Sequence, residues 1–363
     1  MSPRIGSRQS WRQTSPSGAS SATGNLPMRI PQAPLTKPIL NTFLPVTATL
    51  ELSMRAQISS EPVLFVHLSL VDIDTNGGPF ELAHHFLQPY FPRGGLGYLK
   101  IDFDLATAQK ATKYRREVEK AVRDLLKQRR WSRLVMAITN HTDNDCGDPF
   151  AGYVDHQYIA AAVDQFLDIL LAPWMTMIQG AKESYIWFLS CGALVNNSVS
   201  FAALQQSVLK HRITASIAFT AVRFQPNFAT HLLIAFAEQV LIESYHIAHA
   251  FPHMLGQSNK LGCHTDVILL MTDTLAGNIS AIKYFWTHID YRPWGYRMPV
   301  QCPDCGCVDA WRSATKHRVY SFECSNRRCQ KLYTFEQPVG SQMLMPGKTG
   351  SSSWMSIPCN AES

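Results

Sequence analysis

The sequence predicts an α/β fold, a mostly parallel six-stranded sheet with helices on its faces, followed by a small β ribbon. Three observations predict it. From Pro62 onward, short apolar β-branched runs alternate with helical stretches. Those runs lack polar/apolar alternation, as expected of strands covered on both faces. Near the C terminus, Cys302 and Cys305 are separated by 18 residues from Cys324 and Cys329, a spacing that suits a metal-held ribbon.

Six strands are expected, over Val63 to Leu70, Tyr98 to Phe103, Leu134 to Thr139, Tyr185 to Ser190, Ile213 to Phe219 and Val267 to Met271. Between them, Tyr114, Val118, Ala121, Val122, Leu125 and Leu126 recur at helical spacing within a basic stretch, which predicts a one-faced helix from about Ala108 to Arg129. Ala160 to Leu171, Phe201 to Leu209 and Phe228 to Tyr245 read as three more helices, and His84 with His85 falls in another. Helix and strand signals stop at Tyr291-Arg-Pro-Trp-Gly-Tyr-Arg-Met-Pro299, which marks a boundary. The expected organisation is a disordered basic leader over 1–60, an α/β domain over 61–290, a ribbon over 296–336 and a disordered Ser-, Gly-, Met- and Pro-rich tail over 337–363.

Composition narrows the function classes. The 33 Lys and Arg against 27 Asp and Glu leave +6 spread over 363 residues, which is no nucleic-acid-binding signature. The leader has Arg4, Arg8, Arg12, Arg29 and Lys37 and no acid before Glu51, but its prolines break up the amphipathic helix of a presequence. The most apolar long stretch, Ala229 to Ser244, carries Glu238 and Glu243, so no membrane span is expected. Nine cysteines, four of them in metal-type spacing, suit a reducing compartment and an intracellular, cytoplasmic or nuclear protein.

Two expected strands end in reactive residues: Arg133-Leu-Val-Met-Ala-Ile-Thr-Asn runs into His141, and Ser184-Tyr-Ile-Trp-Phe-Leu-Ser runs into Cys191. Open α/β sheets bind ligands beyond the carboxyl ends of their strands, so a His and a Cys 50 positions apart can meet there. Gly192 and Ala193 follow the Cys, and residues this small would let a peptide backbone come close. The stretch from about Val63 to Glu243 resembles the caspase-like fold, a three-layer sandwich, and within it the CHAT type. It does so through Ile138-Thr-Asn-His141 and Phe188-Leu-Ser-Cys191. The resemblance implies a cysteine endopeptidase acting on peptide or protein substrates, with His141 as base and general acid and Cys191 as nucleophile. It also implies that backbone N–H groups of Thr142 and Cys191 stabilise the oxyanion. Thr142 stands where the family prefers Gly.

Other acidic and His clusters read blandly. Asp143-Asn-Asp-Cys-Gly-Asp148 lacks the Glu that closes a calcium loop and is expected to be a turn. His246, His249 and His253 share a helical face without a partner acid in a known motif.

The four ribbon cysteines are expected to hold one structural zinc, with Cys307 pointing away and short strands at Val308 to Arg312, Val319 to Glu323 and Leu332 to Phe335. The ending Tyr320-Ser-Phe-Glu-Cys324-Ser-Asn-Arg-Arg-Cys329 resembles the zinc fingers of the phage Ogr/Delta type. Arg312, Lys316, Arg318, Arg327, Arg328 and Lys331 are the candidate phosphate contacts, and Trp311, Tyr320 and Tyr333 the candidate base-stacking rings, should the ribbon bind nucleic acid. The alternative to a peptidase is a catalytically inactive α/β scaffold whose ribbon binds a protein or nucleic acid.

Overall fold

The structure is a computed structural model that describes residues 58–274, 276–308, 311–316, 319–346 and 351–359, and the backbone of Thr23–Leu26 and Leu44–Thr47. The chain divides into two compact units, Met1–Ala56 and Gln57–Ser363. In the first, Thr23–Leu26 and Leu44–Thr47 pair antiparallel; the rest of the expected leader up to residue 57 lies outside the described residues.

The second unit is a mixed α/β sandwich. Its strands are β1 (Val63–Leu70), β2 (Leu96–Phe103), β3 (Arg133–Thr139), β4 (Glu183–Leu189), β5 (Ala215–Phe219), β6 (Val267–Asp273) and β7 (Asn278–His288). They are followed by β8 (Trp311–Lys316), β9 (Val319–Cys324), β10 (Leu332–Glu336), β11 (Gln342–Pro346) and β12 (Ser352–Pro358). All six expected sheet strands are present. They lie in the order β2-β1-β3-β4-β5-β6, parallel from β2 to β5, with β6 antiparallel to β5. This agrees with the α/β, mostly parallel sheet that the sequence led us to expect.

Alternation along β1 sorts the two layers. Val63 and Phe65 face one core with helices α1 (Pro79–Leu87), α5 (Thr230–Phe236) and α6 (Ile247–Gly256). Leu64, Val66 and Leu68 face the other, with α2 (Ala108–Gln128), α3 (Val163–Leu171) and α4 (Ser198–Lys210). Helix α2 starts where Thr107 accepts a hydrogen bond from the Lys110 N–H at 3.2 Å, and it buries Tyr114, Val118 and Val122 four residues apart. Two helix expectations shift. Residues 157–160 belong to a hairpin with Phe150–Val154, turned by Asp155 and His156 at φ 49° and 65°. The helix expected to run to Tyr245 passes from α5 into a π-helical turn over Ala237–Ile242 and stops at Ser244, φ 58°.

The larger correction concerns the C-terminal edge. The sheet has nine strands, because β7, β12 and β11 extend it beyond β6 in that order, all antiparallel. The tail expected to be disordered therefore supplies two strands. Trp354 and Met355, 2% and 0% exposed, anchor β12, with Trp354 paired opposite Trp286 of β7. A Ser- and Gly-rich composition argued for disorder, but two large buried side chains and a full ladder outweigh it.

The ribbon, β8-β9-β10, is thus an insertion between β7 and β11 rather than an appendage. Its stem carries Trp294, a non-glycine residue in the left-handed region at φ 50°, ψ 30°, packed with Phe285 and Met355 and covered by Tyr320 and Phe335 of the ribbon. Such a conformation costs about 1–3 kcal/mol and persists where the surroundings hold it.

Candidate functional site

Strands β3 and β4 are parallel neighbours, with Thr139 opposite Leu189 in register. Counting two residues onward puts His141 and Cys191 at equivalent positions beyond the carboxyl edge of one sheet, as the sequence predicts. His141 is exposed and Cys191 half-buried. No hydrogen bond joins their side chains among the described residues; apo catalytic pairs are often loose in this way.

The two turns are tied together around that edge. Thr142, only 5% exposed, donates from its hydroxyl to the Cys191 carbonyl at 3.4 Å. The Thr142 side chain is therefore a strut between the two strand ends. Asn140 folds back to donate from Nδ2 to the Phe150 carbonyl at 2.9 Å, and its Oδ1 accepts the His141 N–H at 2.7 Å. The loop after His141 is the turn expected: the Asp143 carboxylate accepts from the N–H groups of Cys146 (3.1 Å) and Asp145 (2.9 Å), and these bonds pull its pKa below the usual value. The loop also packs on the segment after Cys191, where Asn197 donates to the Asp145 carbonyl at 3.4 Å.

Gly192 needs a different account from the one the sequence suggested. A Cβ there would lie 2.1 Å from the Thr220 carbonyl oxygen, and the Gly192 N–H donates to the Ala221 carbonyl at 2.8 Å. The smallness of this residue serves close approach by the chain's own backbone after β5, not by a substrate. Sequence offered no sign of that, because the partner lies 28 residues on (220 − 192) in an unremarkable Thr-Ala pair.

Behind the edge, His67 is 2% exposed, with Nε2 2.8 Å from the Thr139 hydroxyl and Nδ1 3.4 Å from the Tyr98 hydroxyl. Burial, then Lys100 nearby, lowers its pKa to about 4, against a weaker opposing pull from Glu81. A histidine kept neutral when folded binds its proton more readily unfolded, so stability falls as pH drops from about 6.5 towards 4. We predict that His67→Gln flattens this slope, measured by urea unfolding at pH 7 and pH 4.5. An equal loss in both proteins would contradict the assignment.

In the ribbon, the sulfurs of Cys302, Cys305, Cys324 and Cys329 all lie within 4.8 Å of one another. Cys302 and Cys329 are 3.7 Å apart, and Cys305 and Cys324 are 3.6 Å apart. Four thiolates around one tetrahedral ion at about 2.3 Å would sit roughly 3.8 Å from each other, so the donor set fits a four-coordinate metal with no open position. Two similar turns present them: the Gly306 N–H donates to the Cys302 carbonyl at 2.8 Å with Gly306 at φ 73°, and the Gln330 N–H donates to the Asn326 carbonyl at 3.1 Å with Gln330 at φ 52°. The Cys307 N–H heads the groups that lower the Cys305 pKa to about 6, while burial and the neighbouring thiols raise those of Cys324 and Cys329. Cys307 lies outside the four-sulfur set, and its Sγ accepts from Asn326 at 3.4 Å.

Arg312, Arg327 and Arg328 are exposed, Lys331 pairs with Asp304 at 3.3 Å, Lys316 ends β8, and Arg318 lies outside the described residues. Tyr320 is turned towards the sheet, its ring 4.9 Å from that of Trp294, which removes it as a stacking platform; Trp311 and Tyr333 meet edge to face at 5.0 Å. His246 caps α6 by accepting from the Ala248 N–H at 3.3 Å.

No family model matches the chain, and no curated protein matches it. Among solved structures it is similar to a secreted C11 cysteine protease from Bacteroides thetaiotaomicron, in complex with an irreversible peptide inhibitor. That match spans 83% of this chain and 90% of the other at 6% identity and a TM-score of 0.35. A likeness this distant carries no argument about chemistry. No helix among the described residues is long and apolar enough to cross a membrane.

Proposed function

We propose that the chain is a caspase-like cysteine endopeptidase of the CHAT type, with a zinc ribbon inserted in its sheet. The observation that carries the reading is the register of β3 and β4, which brings His141 and Cys191 to one edge with Thr142 bridging to the Cys191 carbonyl. The His141 imidazole takes the Cys191 thiol proton, and the thiolate attacks a peptide carbonyl. N–H groups of Thr142 and Cys191 hold the resulting oxyanion. As the C–N bond breaks, His141 returns the proton to the leaving amine, and a water deprotonated by His141 hydrolyses the thioester. The soft, closed four-thiolate set suits one structural zinc, which contributes folding free energy rather than chemistry. Substrates are peptides or proteins.

The second reading, an inactive scaffold that recruits a protein or nucleic acid through its ribbon, draws on the missing hydrogen bond between His141 and Cys191 and on exposed Arg312, Arg327 and Arg328. Incubating the full chain with a denatured-protein substrate separates the two. The peptidase reading expects new peptides from wild type, loss of at least about 100-fold in His141→Ala, and none from Cys191→Ala. Cleavage unchanged in Cys191→Ala, or none by any form, would overturn it.

A further inference from the structure

A path of ring contacts, hydrogen bonds and short stretches of chain runs from the ribbon to the Cys191 turn, and neither peptide hydrolysis nor metal binding requires it. It begins where ribbon aromatics grip the stem: Tyr320 lies against Trp294 and Phe335 against Tyr296, with ring centres 4.9 Å and 5.5 Å apart, and the Trp311 indole donates to the Pro299 carbonyl at 3.0 Å. Two stem arginines then hold the end of helix α7 (Asn259–His264). Arg297 donates to the His264 carbonyl at 3.0 Å. Arg292, 7% exposed, donates to the carbonyls of Gly262 and, at 3.1 Å, Gly295, and its Nη2 meets the Asp266 carboxylate at 2.5 Å.

Asp266 is the next link. Its N–H donates to the Thr220 hydroxyl at 3.0 Å and its carbonyl accepts the Thr220 N–H at 3.2 Å. The adjacent Thr265 hydroxyl accepts from the Ala221 N–H at 3.0 Å, and the Ala221 carbonyl receives the Gly192 N–H at 2.8 Å, one residue from the Cys191 sulfur. The guanidinium satisfies three acceptors at once and is held in a single orientation by them, so a displacement of the stem is transmitted rather than absorbed by a flexible side chain.

We propose that the metal in the ribbon controls the reactivity of Cys191 through this path, with Arg292 and Asp266 as positioning residues. The inference rests on the metal site of the proposed function but not on peptide hydrolysis, and it applies equally to an inactive chain. With the four sulfurs joined, the ribbon clamps the stem and the Cys191 turn is held half-buried. Without the metal, the ribbon's small core no longer fixes the stem, and the turn opens.

The test measures iodoacetamide alkylation of the full chain, resolved by residue with mass spectrometry, in zinc-loaded protein and after chelation, with zinc content assayed in both. Cys146, on the loop packed against the segment after Cys191 but already exposed whether or not the turn opens, is the internal reference. Chelation is expected to speed Cys191 alkylation at least about fivefold and Cys146 less than about twofold. In Arg292→Lys, which keeps the charge but loses the fork, and in Thr220→Val, the Cys191 response is expected to fall below about twofold while zinc stays stoichiometric. A Cys191 rate indifferent to the metal in zinc-binding protein, a response undiminished in both variants, or Cys146 moving in step with Cys191 would each overturn the proposal. Protein that binds no zinc overturns the metal site and the coupling with it.

Discussion

Gly192→Ala destabilises the chain by about 3 kcal/mol and unseats the Cys191 turn. The added methyl would meet the backbone of Thr220, whose carbonyl carbon and oxygen lie at 2.2 and 2.1 Å from the new Cβ, not the movable end of a side chain. Relief requires either turn to shift by more than an ångström, which breaks the 2.8 Å bond to the Ala221 carbonyl and leaves polar backbone groups without partners. Gly192 has φ −70°, so the strain comes from crowding and not from an unfavourable dihedral. Urea unfolding should give the loss, and Ala193→Gly, at a neighbouring buried position, serves as a control for general effects. A cost below about 1 kcal/mol would mean that the close approach of the turns at 192 and 220 is not a constraint in solution.

Cys324→Ser abolishes metal binding and removes the protection of the ribbon against hydrogen exchange. The ribbon's own core is little more than Phe322, with Tyr320 and Phe335 turned towards the stem, so most of its stability must come from the metal. A ribbon appended after the α/β domain, as the sequence suggests, would lose its fold alone. The insertion changes that expectation, because the chain must pass through the ribbon to form β11 and β12. Exchange protection should fall together over 302–336 and over β11 and β12, while β1 to β5 stay protected. A ribbon as protected in Cys324→Ser as in wild type would show that its fold does not depend on the metal.

What could be read from the sequence follows the physics of each signal. Strands such as Val63–Leu70, buried at every position, announce themselves by dense apolar runs, here interrupted only by His67 and Ser69. β7 is half-covered along its first residues and mixes Asn, Ser, Lys and Thr with its apolar residues, so no strand was expected there. β12 hides in Ser-rich sequence and is stable only because β7 pairs with it, a contact about 70 residues apart that no local pattern reports. The site divides in the same way. That His141 and Cys191 share one sheet edge and that four ribbon cysteines converge was legible, because each placement follows from residue type at a strand end or at a fixed spacing. The struts were not: Thr142, Gly192, Thr220, Asp266 and Arg292 acquire their roles only when the folded sheet brings their turns to one edge.

The central claim is that His141 activates Cys191 as a nucleophile, and the most direct measurement is the rate at which a peptidyl electrophile modifies each cysteine in wild type and His141→Ala. The account predicts that wild type is modified first at Cys191, well ahead of the more exposed Cys146 and Cys263, and that His141→Ala slows Cys191 by at least about 100-fold while leaving Cys146 unchanged. Modification that follows exposure alone, with Cys146 and Cys263 ahead of Cys191 and no dependence on His141, would contradict it.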